Sequence, residues 1–238
     1  LVQIVLPRRI GALRGDGFIL RDQSARRTIA GGTVIDPFPP VRGRAKPERI
    51  AFIEAMEEPA AEDALLKLLE QHPGGVSLKN FAASWNLTVE DAAALWELAA
   101  LRAAGPDSDP IGFSPDHWDA LQDAVEIGLR QWHEANPDKS GPAANALRAL
   151  QPVRLSVAVF GDVLAGLVEA ERLLHLGSGY CLPGFEPKLV NKDAALWRKV
   201  EPVLIDGHMQ PPVVAVLSEQ LGAPKRDLER FLVRAARL

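Results

Sequence analysis

The sequence contains a single cysteine, Cys181. One cysteine cannot close an internal disulfide, and a thiolate metal site needs several ligands. Neither device braces this chain, which fits a reducing, cytoplasmic setting with Cys181 an inert, half-buried residue. The five histidines are scattered, at positions 72, 117, 133, 175 and 208. No two have the spacing that sets a pair of imidazoles on one helix face, so they read as structural or surface residues and no metal is expected. Long apolar runs are also missing. The longest candidate, Val157 to Val168, is broken by Gly161, Asp162 and Gly166. It falls short of the roughly 20 residues of a membrane helix and reads as a buried one. There is no initiating Met and no targeting segment at Leu1. Leu1 to Leu6 reads as a strand, and Arg230 to Leu238 is still helical in pattern where the chain stops. Both ends therefore read as cuts in a longer protein.

Enzyme signatures are lacking too. No Gly-x-x-x-x-Gly-Lys-Ser/Thr loop is present to cradle phosphates. Asn191-Lys192-Asp193 places its Asp one position too early for a guanine-reading motif. Gly177-Ser178-Gly179 has neither the spacing nor the following helix of a nucleophile elbow. Acidic pairs such as Glu57-Glu58 and Glu62-Asp63 lie near helix starts, where negative charge suits the helix dipole. No catalytic residue is assigned and no cofactor is expected in this chain.

What is present is an ordinary globular composition with uneven charge. Apolar residues make up 47% and charged ones 24%, which excludes disorder and fibrous classes. Residues 1–50 carry ten Lys and Arg against four Asp and Glu, whereas residues 51–190 carry nine against twenty-one. The basic ends suit nucleic acid, and the acidic middle suits phosphate poorly.

Residues 1–36 read as strands. Phe18, Ile19 and Leu20 follow the turn Arg14-Gly15-Asp16-Gly17, and Thr28-Ile29 opens another run through Val34 and Ile35. Glycines 15, 17, 31 and 32 supply tight turns or close backbone approaches. Pro37, Pro39, Pro40 and Pro47, with Arg42, Arg44 and Lys46, mark a wet linker where strand patterning ends.

Helical spacing takes over from Glu48. Ala64, Leu65, Leu68 and Leu69 share one face, and His72-Pro73-Gly74-Gly75 stops that helix. Ser77 caps a short helix carrying Leu78, Phe81 and Ala82. Asn86-Leu87-Thr88 breaks it, and Thr88 with Asp91 caps a longer helix burying Ala92, Leu95, Trp96 and Ala99. This is a helix-turn-helix pattern. It returns at an offset of 136, where Phe81 to Thr88 matches Leu217 to Pro224, Leu95-Trp96 falls on Phe231-Leu232, and Ala99-Ala100 on Ala235-Ala236. A middle copy has helices at Trp118–Ala135, Pro142–Leu150 and Ser156–Leu173, then a hairpin around Gly177-Ser178-Gly179. A hairpin after a third helix is the wing of a winged-helix domain, and Ile111-Gly112-Phe113 reads as the wing remnant of the first copy. The tryptophans at 85, 96, 118, 132 and 197 sit on apolar helix faces and read as core. One basic stripe stands out on the last helix, where Lys225 and Arg226 lead to Arg230, Arg234 and Arg237.

The segment from Arg14 to Pro37 resembles the closing strands of the third domain in elongation-factor-Tu-like GTPases. Ser24-Ala25-Arg26-Arg27-Thr28-Ile29 and the ending Gly31-Gly32-Thr33-Val34-Ile35-Asp36-Pro37 are similar to the selenocysteine-specific branch. Members of that branch often have a third glycine where this chain has Ala30. A Pro/Arg linker leading into tandem winged helices is also that branch's layout. The resemblance implies an α+β multidomain chain. It would hold the carboxy-terminal part of a β-barrel domain at 1–40, a linker at 41–47, and winged-helix modules at 48–115, 116–190 and, truncated, 191–238. It implies a factor delivering selenocysteinyl-tRNA to the ribosome at a recoded UGA codon, with an mRNA hairpin gripped by a module beyond this chain. GTP and magnesium would belong to a GTPase domain outside it, and a cytoplasmic monomer is expected. If any residues here touch RNA, they are expected to be Arg26, Arg27, Arg226, Arg230 and Arg234; the alternative for the last three is a solvated helix face with internal ion pairs. The competing reading, a winged-helix DNA-binding regulator, accounts for residues 48–238 but not for 1–37.

Overall fold

The computed structural model describes residues 2–8, 10–189, 191–207 and 210–236. It is a mixed α/β structure that divides into two compact units, residues 1–123 with 152–163, and residues 124–151 with 164–238.

In the first unit, strands β1 (Gly17–Arg21) and β2 (Thr28–Thr33) pair antiparallel. Gly32 faces Phe18 so closely that a Cβ there would lie 2.8 Å from the ring, and Gly15 takes φ +92° in the turn before β1. Gly17 has no such constraint, with open space where a side chain would go. The strand expected at the very start is not formed: residues 2–6 pair with no other strand. Most are exposed, and no neighbouring strand offers a ladder to them.

Helix α1 (Pro47–Met56) begins one residue inside the expected linker. Pro47 is its first residue, where the missing N–H has no helical partner to lose. Helix α2 (Ala61–Gln71) buries Ala64, Leu65, Leu68 and Leu69, as its periodicity requires. Strand β3 (Val76–Ser77) leads into α3 (Leu78–Ser84), whose first turn is capped by the Ser77 hydroxyl accepting from the Asn80 N–H. Helix α4 (Val89–Leu98) is capped by Thr88, whose hydroxyl accepts from the Asp91 N–H and donates to the Asp91 carboxylate. Strands β4 (Arg102–Ala104) and β5 (Ile111–Phe113) follow. Ile111-Gly112-Phe113 is thus more than a remnant: β5 is the central strand of an antiparallel sheet ordered β3-β5-β4. The core of this region gathers Met56, Leu65, Leu68, Leu69, Val76 and Phe81, with Trp85 and Trp96 packed against it.

Helix α5 (Pro115–Ala135) starts three residues before the expected Trp118, its Ser114 hydroxyl accepting from the His117 N–H. The boundary between the units falls within α5 and again within α7. Next come α6 (Ala144–Ala149), α7 (Val157–Glu169) and the hairpin of β6 (Leu174–Leu176) with β7 (Gly179–Cys181). In the second unit His133 is buried and stacks on Phe185 with ring centroids 3.6 Å apart. Burial pushes its imidazole pKa down, and Cys181, also buried, has its thiol pushed up. Helices α8 (Asn191–Asp206), α9 (Val214–Leu221) and α10 (Lys225–Ala235) complete the chain around Val200, Leu217, Leu228 and Phe231.

The repeat at offset 136 is exact at the helix starts: Leu78 corresponds to Val214, and Val89 to Lys225. The turns agree as well. Asn86 at φ 51° corresponds to Gly222 at φ 60°. The Leu87 N–H donates to the Ala82 carbonyl, and the Ala223 N–H to the Ser218 carbonyl, which is the same position in each copy. Both are left-handed helix stops satisfying the last carbonyls of α3 and α9. Another correspondence links α4 and α7. Each is followed, two residues past its end, by a non-glycine residue of positive φ, Ala100 and Glu171, and the chain then runs into a hairpin.

Candidate nucleic-acid interface

Arg26 and Arg27 lie in the turn joining β1 to β2, both exposed. Asp22 organises this turn. Its carboxylate accepts from the N–H groups of Arg26 at 2.9 Å and Arg27 at 3.2 Å, and from the Ser24 hydroxyl at 2.9 Å. The Asp22 N–H donates to the Arg27 carbonyl, and Ala25 takes φ 55°. The Arg27 N–H and the Ser24 hydroxyl hold the Asp22 carboxyl below its ordinary value. A carboxylate depressed in the folded state stabilises the turn above its ordinary pKa, and that contribution fades as acid protonates it. The backbone tie leaves both guanidinium groups free to face solvent, and neither has an acidic partner among the described residues.

The second group lies on α10. Leu228 and Phe231 are buried, with Leu232 and Ala235 packed beside them, which turns Arg226 and Arg230 outward. They stand one helical turn apart on the same face. The side chain of Arg234 lies outside the described residues, as does Arg237. Lys225 approaches Glu229 at 4.0 Å, both exposed, a weak pairing in water. The structure therefore places Arg26 beside Arg27 and Arg226 beside Arg230, in separate units.

Helix α10 differs from the helices in equivalent places. The exposed residues of α4 include Glu90, Asp91 and Glu97 and no cation. Those of α7 include Val157, Gly161, Asp162 and Glu169, again with no cation. Only α10 of the three offers phosphate a positive face. The tryptophans are half-buried against cores rather than displayed for base stacking. Phe81 stacks on Trp85 and meets Trp96 edge-on, and Trp197 tilts against Phe231. None of the described helices is long and apolar enough to cross a membrane.

Residues 1–41 match the family model described as the beta-barrel domain of the selenocysteine-specific elongation factor. That match takes in β1, β2 and the Asp22 turn. The chain is also 27% identical, over 245 aligned residues, to the selenocysteine-specific elongation factor of Escherichia coli (strain K12). The resemblance holds beyond the strands. The alignment covers 99% of this chain, so the helical region is similar to that factor along with the barrel segment. It covers 37% of the relative, and the chain spans only about that share of the relative's length.

Proposed function

We propose that this chain is part of a translation elongation factor that delivers selenocysteinyl-tRNA to the ribosome at recoded UGA codons. The observation that carries this reading is similarity to a selenocysteine-specific factor across 99% of the chain, barrel segment and helical region alike. The alternative, a DNA-binding regulator, leaves the barrel segment without a purpose and asks an acidic α4 to approach phosphate.

In this reading residues 1–40 end the tRNA-carrying β-barrel, 41–47 link it onward, and 48–115, 116–190 and 191–238 are winged-helix modules. The order α2, β3, α3, α4, β4, β5 with a β3-β5-β4 sheet supports that assignment for the first module. The hairpin β6–β7 after α7 supports it for the second, and the matching α9–α10 pair for the third. The modules act as an arm between the tRNA carrier and an mRNA hairpin. GTP and magnesium act in a GTPase domain outside this chain, in a cytoplasmic, monomeric factor. Arg26 and Arg27 reach tRNA phosphates, and Arg226, Arg230 and Arg234 reach ribosomal or messenger RNA. Such contacts position RNA without reading bases.

The test is complementation. The full-length protein, supplied to cells lacking their own selenocysteine factor, restores selenium incorporation at an in-frame UGA, and deletion of residues 48–238 abolishes it. Failure of the full-length protein to restore incorporation rejects the reading. Changing Arg226, Arg230 and Arg234 together to Ala weakens binding to ribosomes or hairpin RNA, each lost contact costing about 1 kcal/mol, and flattens the salt dependence. Unchanged affinity and slope would leave α10 a plain solvated surface.

A further inference from the structure

Linkers between domains are ordinarily places where domains swing. The residues around this one do the opposite. Arg14, on the loop before β1, sits at the carboxy-terminal ends of two helices at once. Its guanidinium donates to the carbonyls of Met56, at 2.6 Å, and Glu58, at the end of α1. Its backbone N–H donates to the Ser84 carbonyl at the end of α3, at 3.0 Å. The guanidinium also lies 3.8 Å from the centre of the Trp85 ring, the residue that closes α3. A planar cation matches every partner here: helix-end carbonyls carry partial negative charge, and an indole face attracts a guanidinium.

Two further contacts join the same parts. Ile35, just after β2, packs against the helical core. Asp36, three residues past the end of β2, pairs with Arg49 of α1 at 2.6 Å, and the Asp36 side chain is only 5% exposed. Its other oxygen accepts from the Phe38 N–H, fixing the path of the chain into the linker. The segment from Pro37 to Lys46 therefore leaves and returns to one body, bridged at both ends.

We infer that Arg14 is a positioning residue that locks the β1–β2 segment to the first helical module. The linker is a closed loop on a rigid joint, and any swinging of the arm occurs farther along the chain. In a factor that must hold two RNAs at once, such a joint fixes the direction in which the arm leaves the barrel. The geometry stands whether or not the RNA reading does.

The test uses spin labels at two exposed positions, Gln23→Cys on the hairpin turn and Glu97→Cys on α4, in the full chain, with distances read by double electron–electron resonance. The parent gives one narrow distance. Arg14→Ala loses that single narrow peak while helical circular dichroism is retained, and Arg14→Lys, which keeps a donor but no planar stack, restores it in part. A narrow, unshifted peak in Arg14→Ala overturns the inference. Should Arg14→Ala lose its helical signal, Asp36→Asn reads the same joint from its other side. There a broadened distance supports the joint and an unchanged one overturns it.

Discussion

The helix pairs α3–α4 and α9–α10 share a skeleton and differ in what they show to solvent. Helix starts, left-handed stop and buried positions coincide at an offset of 136: Phe81 with Leu217 and Ala92 with Leu228, while Ala99 is matched by the half-buried Ala235. The outer faces diverge, with Glu90 of the first pair standing where the second has Arg226. Packing and turn geometry are the repeated part of the sequence, and surface charge varies freely upon them. That separation is expected when apolar burial supplies the stability and exposed charge supplies little of it.

The largest expected difference between the two pairs lies in their cores. Among the described residues, the cluster under α10 has four buried members and the one under α4 has nine. Phe231→Ala removes a fully buried ring and costs about 3–5 kcal/mol. In urea denaturation the α8–α10 region then loses most or all of its own transition, whereas Phe81→Ala lowers that of the α1–α4 region without abolishing it. Equal tolerance of both changes would contradict the difference in core size.

Next in size is the turn. Gly222 has open space around its missing side chain, so Gly222→Ala meets only the backbone cost of a left-handed residue, about 1 kcal/mol. Gly222→Asn, which imports the residue of the first copy, costs less, because Asn tolerates this conformation. Asn86→Gly in the first copy changes stability little. A Gly222→Ala protein as stable as the parent would show that the turns are not equivalent.

Capping gives a comparable or smaller effect with opposite signs in the two copies. Thr88→Ala removes the cap of α4 and costs about 1 kcal/mol. The matching position before α10 is Pro224, which offers only its carbonyl, to Asp227 and Leu228. Pro224→Thr supplies the missing hydroxyl and raises the melting temperature of the second unit. A fall would mean that proline's fixed φ matters more there than the cap.

These features differ in how far the sequence reveals them. The caps at Ser77 and Thr88, the stop at Asn86 and the repeat are local in sequence and could be read from residue type and spacing. Strand β4 could not, because Arg102-Ala103-Ala104 has no strand-like composition and is held by pairing with β5. Residues 2–6 erred the other way, looking like a strand and finding no partner. In the candidate interface, the α10 face was legible because helical periodicity assigns its buried side. The Asp22 tie was not, being a loop geometry. Arg14 gives no signal beyond a turn, since its partners lie 42 and 44 positions away. Contacts of that range are set by tertiary structure, which a single sequence does not display.

The smallest expected change in stability concerns the charges themselves, and it bears most directly on function. Lys225 and Arg226 occupy the first turn of α10, where the helix dipole presents its positive end. Acidic residues are favoured there, as Glu90 and Asp91 are in α4. Asp227 offsets the two cations only in part. Arg226→Glu therefore stabilises the second unit by about 0.3–1 kcal/mol at low salt, and Glu90→Arg destabilises the first by a similar amount. Both effects shrink as salt screens them. The exposed side chain of Arg226 makes no described contact that would offset its unfavourable place, so local stability does not explain its presence. A partner that needs positive charge, as proposed above, would account for it. The paired measurement is thermal denaturation and RNA affinity of Arg226→Glu in the full-length protein. The expected outcome is a gain in the first and a loss in the second. A variant that gains stability and binds ribosomes and hairpin RNA as before would remove α10 from the interface and leave Arg26 and Arg27 as the remaining candidates.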